Sequence, residues 1–386
     1  MQQQRQHFVV RFAGEGGQGV VTAAEMLASA ASQVGYHIQT FATFPSQILG
    51  GPTWTQARIS TTRVFSPGDE LDILVAFNKE AYDGHREEVR KGGVVVYDSA
   101  AFTPDNEKNS IGLPFDELGK KTGNARAANM VVVGALTKLV NWEPDFMEQF
   151  ITKRFTRGRP DDEAIIKSNI QALHLGREAI GDTELSIGQL LAPIKPEGTQ
   201  VLMKGNDALC LGAMAAGLDY YVGYPISPAT PILLFMERNL VGKNQFAYQS
   251  SSEIESIGAI LGAGYAGKKA MTATAGPGFS LMVEGLGLAW MAEIPLVVVD
   301  VQRGGPATGL PTKTEQSDLN IAMHPAHGDV HLPVLAPGTV EECFQAGVKA
   351  VQWAEKYQGP VIVLSEMMLA ERTENLPKPD STMTGP

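Results

Sequence analysis

Glu253 is the residue whose type and surroundings most clearly indicate chemistry. It lies near the start of SSEIESIGAILGAGYAG, residues 251–267, where larger apolar residues recur at helical spacing. The glycines between them would cost an isolated helix several times ~1 kcal/mol, so close packing must offset them. The pattern therefore predicts a buried carboxylate at a tight interface, a group able to form a strong, oriented hydrogen bond. We expect the apolar face of this helix to consist of Ile254, Ile257, Ile260 and Leu261.

Two cations lie in a glycine- and proline-rich loop, RGGPATGLPTK, residues 303–313. The loop follows PLVVVDVQ, whose apolar run predicts a buried parallel strand. At the carboxyl end of such a strand, Arg303 or Lys313 can be placed against a carboxylate substrate. A solvated loop is the alternative, although turns that need only solubility rarely carry so many backbone constraints.

The turn YPISP, residues 224–228, also follows a predicted strand. Its two prolines fix the backbone around Ser227, and ligands of open parallel sheets bind at the carboxyl ends of the strands. A plain turn, with Ser227 near a helix start and Pro228 at the first helical position, explains the same residues. The motif alone leaves both interpretations open.

The elements that must position these residues alternate between strand and helix. Apolar runs at 71–77 and 92–99 predict buried parallel strands, and 270–291 predicts a strand, an AGPG turn and a helix. The run AANMVVVGALTKLV, residues 127–140, is compatible with a helix or a buried strand. We predict an α/β protein with mainly parallel sheets, organised as a domain at 1–185, a linker at 186–200, a domain at 201–375 and a linker-like tail at 376–386.

The loop GEGGQG, residues 14–19, satisfies the G-x-G-x-x-G pattern between a predicted strand and a predicted helix. A dinucleotide-binding module would also need an acidic residue about 20 positions later for a ribose hydroxyl. The region around Gln39 carries no carboxylate. Glycines that allow close packing of strand and helix are therefore favoured, with a nucleotide site as the alternative.

The composition argues against several classes of function. A chain of 386 residues with 44% hydrophobic residues and a net charge of −11 indicates a globular enzyme of two or three domains, not a nucleic-acid-binding protein. The sequence has no run of ~18 apolar residues that would predict a membrane helix and no signal-peptide pattern, so we expect a cytoplasmic protein. Cys210 and Cys343 are too few for a disulfide framework or an iron-sulfur cluster. His324 and His327 form H-x-x-H, but too few further ligands accompany them to indicate a metal site.

Four motifs, in this order and spacing, resemble those of the 2-oxoacid:ferredoxin oxidoreductases. They are YPISPAT, SSEIESIGA, TATAGPGFSLMVEGLGLA and QRGGPATGLPTKTEQSD. The resemblance covers essentially the whole chain and is strongest to fused γ/α subunits of the 2-oxoglutarate type. It implies a γ-type domain around GEGGQGV, followed by an α-type thiamine pyrimidine-binding domain with the thiamine-diphosphate-binding fold. The implied activity is oxidative decarboxylation of a 2-oxoacid, preferably 2-oxoglutarate, to an acyl-CoA, with electrons passed to ferredoxin.

Carried over by position, the resemblance makes Glu253 the glutamate that hydrogen-bonds the aminopyrimidine ring of thiamine diphosphate. A carboxylate at that ring nitrogen favours the imino tautomer, whose nitrogen removes the thiazolium C2 proton. A partly buried carboxylate makes a stronger and better oriented hydrogen bond there than a solvated one.

The resemblance also assigns residues to the substrate. The family's Y-P-I-T-P motif, which contacts cofactor or substrate, corresponds to Tyr224, Pro225, Ile226 and Ser227. Ser227 keeps the hydroxyl of the usual threonine and lacks its methyl group. Lys313 falls where the family pairs a cation with the 2-oxoacid carboxylate, and Arg303 is a second candidate cation. Lysine would bind that carboxylate as a point charge.

A partner subunit is implied as well. In the family, Mg²⁺, the cofactor diphosphate and the [4Fe-4S] clusters belong to a β-type subunit, and this sequence has neither a Gly-Asp-Gly motif nor a cysteine cluster. We expect the chain to be inactive alone, sharing thiamine diphosphate with a β-type partner in a heterodimer or dimer of heterodimers. Coenzyme A would be the co-substrate and ferredoxin the acceptor. A non-catalytic assembly or regulatory subunit is the alternative. The family's α part usually continues into further domains, so we expect a fragment or a naturally split subunit.

Overall fold

The chain folds into two compact units, Met1–Gly198 and Thr199–Pro386. The computed structural model describes residues 4–43, 50–105, 108–181, 183, 185–194 and 196–380. Lys195 of the predicted linker and residues 381–386 of the predicted tail lie outside these described residues. No helix in the described ranges is long and apolar enough to cross a bilayer.

The first unit is built on a mixed sheet with strand order β7-β6-β5-β2-β4-β3. Strands β2, β5, β6 and β7 run parallel to one another, whereas β4 is antiparallel to both β2 and β3. Its strands are β1 Gln4–Arg5, β2 His7–Glu15, β3 His37–Thr43, β4 Pro52–Ser60, β5 Leu71–Ala76, β6 Val89–Asp98, β7 Ser110–Leu113 and β8 Gln189–Leu190. Its helices are α1 Val20–Gln33, α2 Lys79–His85, α3 Phe115–Lys120, α4 Ala128–Leu139, α5 Asp145–Phe155 and α6 Asp162–Ile180.

Helix α4 resolves the run that the sequence left open between helix and strand. Gly134 of α4 and Gly176 of α6 let the two backbones approach, because a Cβ on either would lie about 2 Å from a carbonyl oxygen of the other helix. Strand β8 pairs with β1, and Ile187 and Leu190 are buried in the core of this unit. Residues 187–190 of the predicted linker therefore pack on the first unit.

The second unit has a parallel sheet in the order β11-β10-β12-β13-β15-β14, covered by helices on both faces. Its strands are β9 Gln200–Lys204, β10 Tyr220–Gly223, β11 Phe246–Gln249, β12 Ala270–Thr274, β13 Leu296–Gln302, β14 Val334–Leu335, β15 Pro360–Glu366 and β16 Thr373–Pro377. Its helices are α7 Gly205–Ala215, α8 Thr230–Asn239, α9 Glu253–Tyr265, α10 Gly276–Phe279, α11 Val283–Met291, α12 Leu319–Met323, α13 Val340–Tyr357 and α14 Met367–Glu371. The predicted α/β class is confirmed.

Two local predictions in the second unit are wrong. The AGPG segment was expected to be a turn before one helix, but its Gly-Pro-Gly residues form the short helix α10, and α11 starts only at Val283. Proline at the first turn is compatible with a helix, which explains why Pro277 does not prevent it. Ile254 was expected on the apolar face of α9, yet its side chain is 62% exposed, while Ile257 and Ile260 are buried.

Candidate functional site

The candidate site lies at the carboxyl edge of the parallel sheet in the second unit. Strands β10, β11, β12 and β13 are neighbours in that sheet and all run in the same direction. Strand β10 leads into the 224–228 turn, and β11 leads into Glu253. Strand β12 leads into the short helix that begins at Gly276, and β13 leads into Arg303. Ligands of open parallel sheets bind at this edge. The fold thus brings together segments that are far apart in the sequence.

Glu253 is the first residue of α9 and is only 7% exposed. Ser252 caps the helix, since its hydroxyl accepts a hydrogen bond of 3.2 Å from the Glu255 amide. Within the described residues, no donor forms a hydrogen bond to the Glu253 carboxylate. A buried carboxylate without an internal donor is suited to bind a polar group of a ligand.

Gly278 fixes where that carboxylate lies. A Cβ on Gly278 would lie 2.5 Å from Oε1 of Glu253 and 2.1 Å from Oγ1 of the fully buried Thr274. Both distances are far shorter than ordinary contacts, so this position accepts only glycine without displacing Glu253 or Thr274. The second glycine of the AGPG motif, Gly278, is therefore required for the packing around the Glu253 carboxylate.

Arg303 joins two loops of the site. Its Nη1 donates to the Ser227 carbonyl oxygen at 2.8 Å and its Nη2 to the Thr308 carbonyl oxygen at 2.9 Å. The side chain is buried, and its Nε has no partner among the described residues. Burial lowers the pKa of Arg303, and the negative charge of Glu253 opposes that shift. The guanidinium thus binds two protein carbonyl oxygens, and its remaining N–H groups can bind a further acceptor.

Lys313 is exposed on the same loop as Arg303. Its backbone is fixed by two hydrogen bonds. Its carbonyl oxygen accepts one from the Gly304 amide at 2.8 Å, and its amide donates one to the Leu310 carbonyl oxygen at 3.0 Å. Further along, the Thr314 hydroxyl donates to Oε2 of Glu366 at 2.6 Å. No carboxylate of the described chain pairs with the Lys313 ammonium. An unpaired cation on an anchored loop can attract an anionic ligand.

The 224–228 turn presents an aromatic ring and a hydroxyl at the same edge. Tyr224 is 38% exposed and Ser227 is exposed, whereas Ile226 packs against the core. Asn206 holds the end of the turn by donating to the Pro228 carbonyl oxygen at 3.1 Å. With the Arg303 bond to Ser227, the turn is anchored at two points. The structure therefore places all the predicted site segments at one edge of the sheet.

Two carboxyl groups at this edge were missed by the sequence interpretation. Asp300 on β13 is fully buried, and Asp318 lies just before α12 with its carboxylate against Gly276. Burial, and then the negative charge of Asp318, raises the pKa of Asp300 well above its ordinary value. The available signal was the single aspartate inside the apolar run PLVVVDVQ.

A separate cavity of about 1070 Å³ lies in the first unit and is lined in part by Gly17, Gln18 and Gly19 of the GEGGQG loop. Gly19 supports the packing interpretation, since a Cβ there would lie 2.2 Å from the Asn129 side chain. At Gly17, by contrast, no atom lies within 4 Å of the position that a Cβ would take. The lining also includes polar residues and charged residues of both signs: Asp98, Asp116, Asn124, Arg126, Arg157, Arg159 and Asp161.

The structure pairs His324 with His331 and not with His327. The Nδ1 atoms of His324 and His331 lie 3.0 Å apart. Within the ranges the structure describes, no cluster of three or more acidic, histidine or cysteine ligands could hold a metal ion.

Comparison with known proteins matches both units to family models. Residues 9–179 match the model described as pyruvate ferredoxin/flavodoxin oxidoreductase, and residues 211–384 match the thiamine-diphosphate-binding model of the pyruvate flavodoxin/ferredoxin oxidoreductases. A solved structure of a 2-oxoglutarate:ferredoxin oxidoreductase from Magnetococcus marinus, with 2-oxoglutarate, coenzyme A and succinyl-CoA bound, is similar at 38% identity and a TM-score of 0.92. The match covers 99% of this chain and 67% of that one.

Curated relatives carry related names. The KorA subunit of a 2-oxoglutarate oxidoreductase from Mycobacterium tuberculosis is 34% identical over 98% of this chain and 63% of its own length. The KorA subunit of a 2-oxoglutarate synthase from Methanothermobacter marburgensis is 46% identical over 47% of this chain and 48% of its own. The chain thus spans less than two thirds of the length of these relatives.

Proposed function

The chain belongs to the 2-oxoacid:ferredoxin oxidoreductase family, and on that premise we propose that it is a catalytic subunit for oxidative decarboxylation of a 2-oxoacid. The favoured substrate is 2-oxoglutarate, because the similar solved structure contains it. The products are carbon dioxide and the acyl-CoA, and an electron pair passes through clusters to ferredoxin. The buried Glu253 carboxylate, which no donor of the described chain satisfies, is the observation that carries the proposal.

The residues present fit the aminopyrimidine end of thiamine diphosphate. Glu253 offers a buried acceptor at the carboxyl edge of the sheet, and Gly278 keeps the space beside it free of a side chain. When bound, the cofactor supplies a carbon nucleophile for the 2-oxo carbon and an electron sink for decarboxylation. Glu253 would bind the pyrimidine ring by a hydrogen bond and favour the tautomer that accepts the C2 proton. Tyr224, Pro225 and Ile226, in the rigid turn at the same edge of the sheet, would also contact the cofactor.

Binding of the 2-oxoacid is assigned to the loop that follows β13. Lys313 attracts the substrate carboxylate as a point charge, and the Ser227 hydroxyl donates a hydrogen bond to a substrate oxygen. Arg303 holds the Ser227 turn and the loop that carries Lys313 by binding the carbonyl oxygens of Ser227 and Thr308. The anchored loops keep these groups in place before substrate arrives, which lowers the entropy cost of the reaction.

The first-unit cavity is the proposed place for the charged end of coenzyme A. Its volume of about 1070 Å³ suits a nucleotide, and Arg126, Arg157 and Arg159 on its wall offer donors to phosphate groups. Titration calorimetry with coenzyme A should give binding that Arg157→Ala weakens, with Lys153→Ala on the neighbouring surface as the matched control. Equal affinity of both variants would contradict this placement.

A β-type partner is proposed to hold the diphosphate, Mg²⁺ and the [4Fe-4S] clusters, in a heterodimer or a dimer of heterodimers. An exposed stripe on α9 supports a docking surface. Ile254, Gly258 and Gly262 follow one another at four-residue spacing, and Tyr265 at the end of the helix is 84% exposed. Nothing in the described chain lies within 4 Å of a Cβ built on either glycine, so another backbone can approach closely. The cytoplasmic location expected from the sequence is part of the same proposal.

Reconstitution with a cluster-bearing partner tests the proposed function. The complex should reduce a viologen dye when given 2-oxoglutarate, coenzyme A and thiamine diphosphate, and each omission should abolish the reduction. A Glu253→Gln complex should assemble and show almost no activity, while Glu255→Gln, two residues along the same helix, should stay active. Unchanged dye reduction by the Glu253→Gln complex would contradict the assignment of Glu253 to cofactor activation.

A further inference from the structure

Asp300 is a buried acid that the proposed function leaves unused. It lies on β13 between β12 and β15, and its side chain is fully buried. Val298, two residues earlier, packs in the cluster under α9, α10, α11 and α12, and strand alternation turns Asp300 to the same face. Both of its carboxyl oxygens lack a hydrogen-bond donor among the described residues. An ionised carboxylate in such a place would cost several kcal/mol.

Asp318 lies next to the face of β13 that carries Asp300, because it is bound by Gln302, which follows Asp300 by two residues and so shares its face of the strand. The Asp318 amide donates to Oε1 of Gln302 at 2.9 Å, and Nε2 of Gln302 donates to the Ser365 carbonyl oxygen at 3.0 Å. Its carboxylate lies against α10, because a Cβ on Gly276 would be 2.6 Å from Oδ2. That Oδ2 atom is also buried without a donor in the part of the chain that the structure describes. Asp318 thus ends the loop that carries Lys313 and touches the helix that supports Glu253.

We propose that Asp300 carries a proton at neutral pH and shares it with Asp318, so that the two acids act as one positioning unit. The neutral Asp300 acid donates a hydrogen bond to the Asp318 carboxylate, so that one carboxyl oxygen of each side chain gains a partner. The shared proton holds the end of the 303–318 loop against α10 and thereby sets Lys313 relative to Glu253. This role in positioning rests on the proposed function, whereas the protonation does not.

A proton explains the cluster better than a cation does, since the described residues contain no group of three or more ligands for a metal ion. Acidic groups outnumber basic ones on the elements packed around Asp300: Glu253 is on α9, Glu366 at the end of β15, and Glu315 and Asp318 on the loop, which also carries the cations Arg303 and Lys313. Burial, and then Glu315, raises the pKa of Asp318 as well. Like charges at short range favour a state in which one proton is retained.

Protonation of Asp300 in the folded chain makes its stability depend on pH. Because the pKa of Asp300 in the folded chain is raised, the folded state holds a proton that the unfolded chain has lost at neutral pH. The stability is therefore fully present below the ordinary pKa of aspartate and decreases as the pH rises from there toward the raised value. Asp300→Asn should flatten that decrease, and Asp329→Asn at an exposed position is the matched control.

Infrared difference spectroscopy of the full chain tests the protonation directly, without any activity. The native chain at neutral pH should show the carbonyl stretch of a protonated carboxylic acid, which Asp300→Asn removes and Asp329→Asn keeps. If Asp300→Asn does not fold, Asp318→Asn serves instead: the band should persist and shift, because its hydrogen-bond acceptor has changed. A native spectrum without that band overturns the proposal, as does a band that persists unshifted in the folded variant.

Positioning is tested in the reconstituted enzyme. Asp318→Asn should raise KM for the 2-oxoacid about tenfold or more with a smaller effect on kcat, because the loop that carries Lys313 loosens while Glu253 stays in place. Asp300→Asn, which keeps a donor toward Asp318, should remain near the native KM. If both variants showed the same fall in kcat and the same rise in KM, the cause would be general destabilisation, which contradicts a positioning role. Inactivity of the native complex, by contrast, would count against the proposed function alone.

Discussion

Replacement of Gly278 by alanine tests whether the site depends on the placement of Glu253. The added Cβ would lie 2.5 Å from Oε1 of Glu253, whereas ordinary van der Waals contacts begin near 3.4 Å. Relief of the contact on the Glu253 side therefore requires a displacement of about 0.9 Å, from 2.5 to 3.4 Å. Thr274 on the other side is fully buried in β12 and cannot give way as easily.

The expected effects on stability and on activity differ in size. Overpacking of this kind typically costs about 1–3 kcal/mol of unfolding free energy, which a folded unit of this size can tolerate. A displacement of about 1 Å at a reacting centre can cost about 100-fold in rate, or about 2.7 kcal/mol of transition-state stabilisation. We therefore expect a folded Gly278→Ala chain whose reconstituted complex has lost about 100-fold in kcat/KM.

Urea unfolding of the chain and dye reduction by the complex are the two assays. Gly84→Ala in α2 is the matched control, since nothing lies within 4 Å of a Cβ at that glycine and its φ angle is ordinary. The control should match the native chain in dye reduction and should be at least as stable in urea, because alanine is the better helix former. Native activity of a folded Gly278→Ala complex would refute the reasoning that this glycine keeps the carboxylate in position.

Three further substitutions probe the loops and the docking surface. Lys313→Ala should raise KM for the 2-oxoacid about tenfold to a hundredfold, through loss of a charged contact, and Lys313→Arg should restore much of it; an unchanged KM in Lys313→Ala would remove this lysine from the site. Arg303→Lys can replace only part of the two-carbonyl contact, so unfolding free energy should fall by about 1 kcal/mol and kcat/KM about tenfold; native values in both measurements would contradict the anchoring role. Ile254→Glu should weaken binding of the β-type partner tenfold or more in calorimetry without loss of stability, whereas Val241→Glu, also exposed but away from α9, should bind normally.

Much of the fold was predictable because its signals are local. The nearly continuous apolar run at 71–77 forms a parallel strand at Leu71–Ala76 whose residues are all buried, as expected for a strand covered on both faces. Glu253 could be identified as a buried carboxylate, since the small residues of α9 make sense only in close packing. The alternation of strand and helix then fixes which turns meet at the carboxyl edge.

What the sequence did not predict depends on contacts between distant segments. The requirement for Gly278 arises because α10 passes over the start of α9, which no local pattern records. Ile254 was expected in the core because of its helical spacing, but it is exposed. The same spacing occurs on a core-facing side of a helix and on an apolar stripe at its surface. Asp300 was missed although it is a charge in an apolar strand, because its relation to Asp318 depends on how the loop folds back onto β13.

The central claim is that Glu253 activates thiamine diphosphate through a hydrogen bond to the pyrimidine ring. Its most direct measurement is the rate at which the cofactor C2 proton exchanges for deuterium in the reconstituted complex, followed by quenched-flow NMR. We expect fast exchange in the native complex and exchange near the rate of free thiamine diphosphate in Glu253→Gln, although the variant still binds the cofactor. Equally fast exchange in both complexes would contradict the claim.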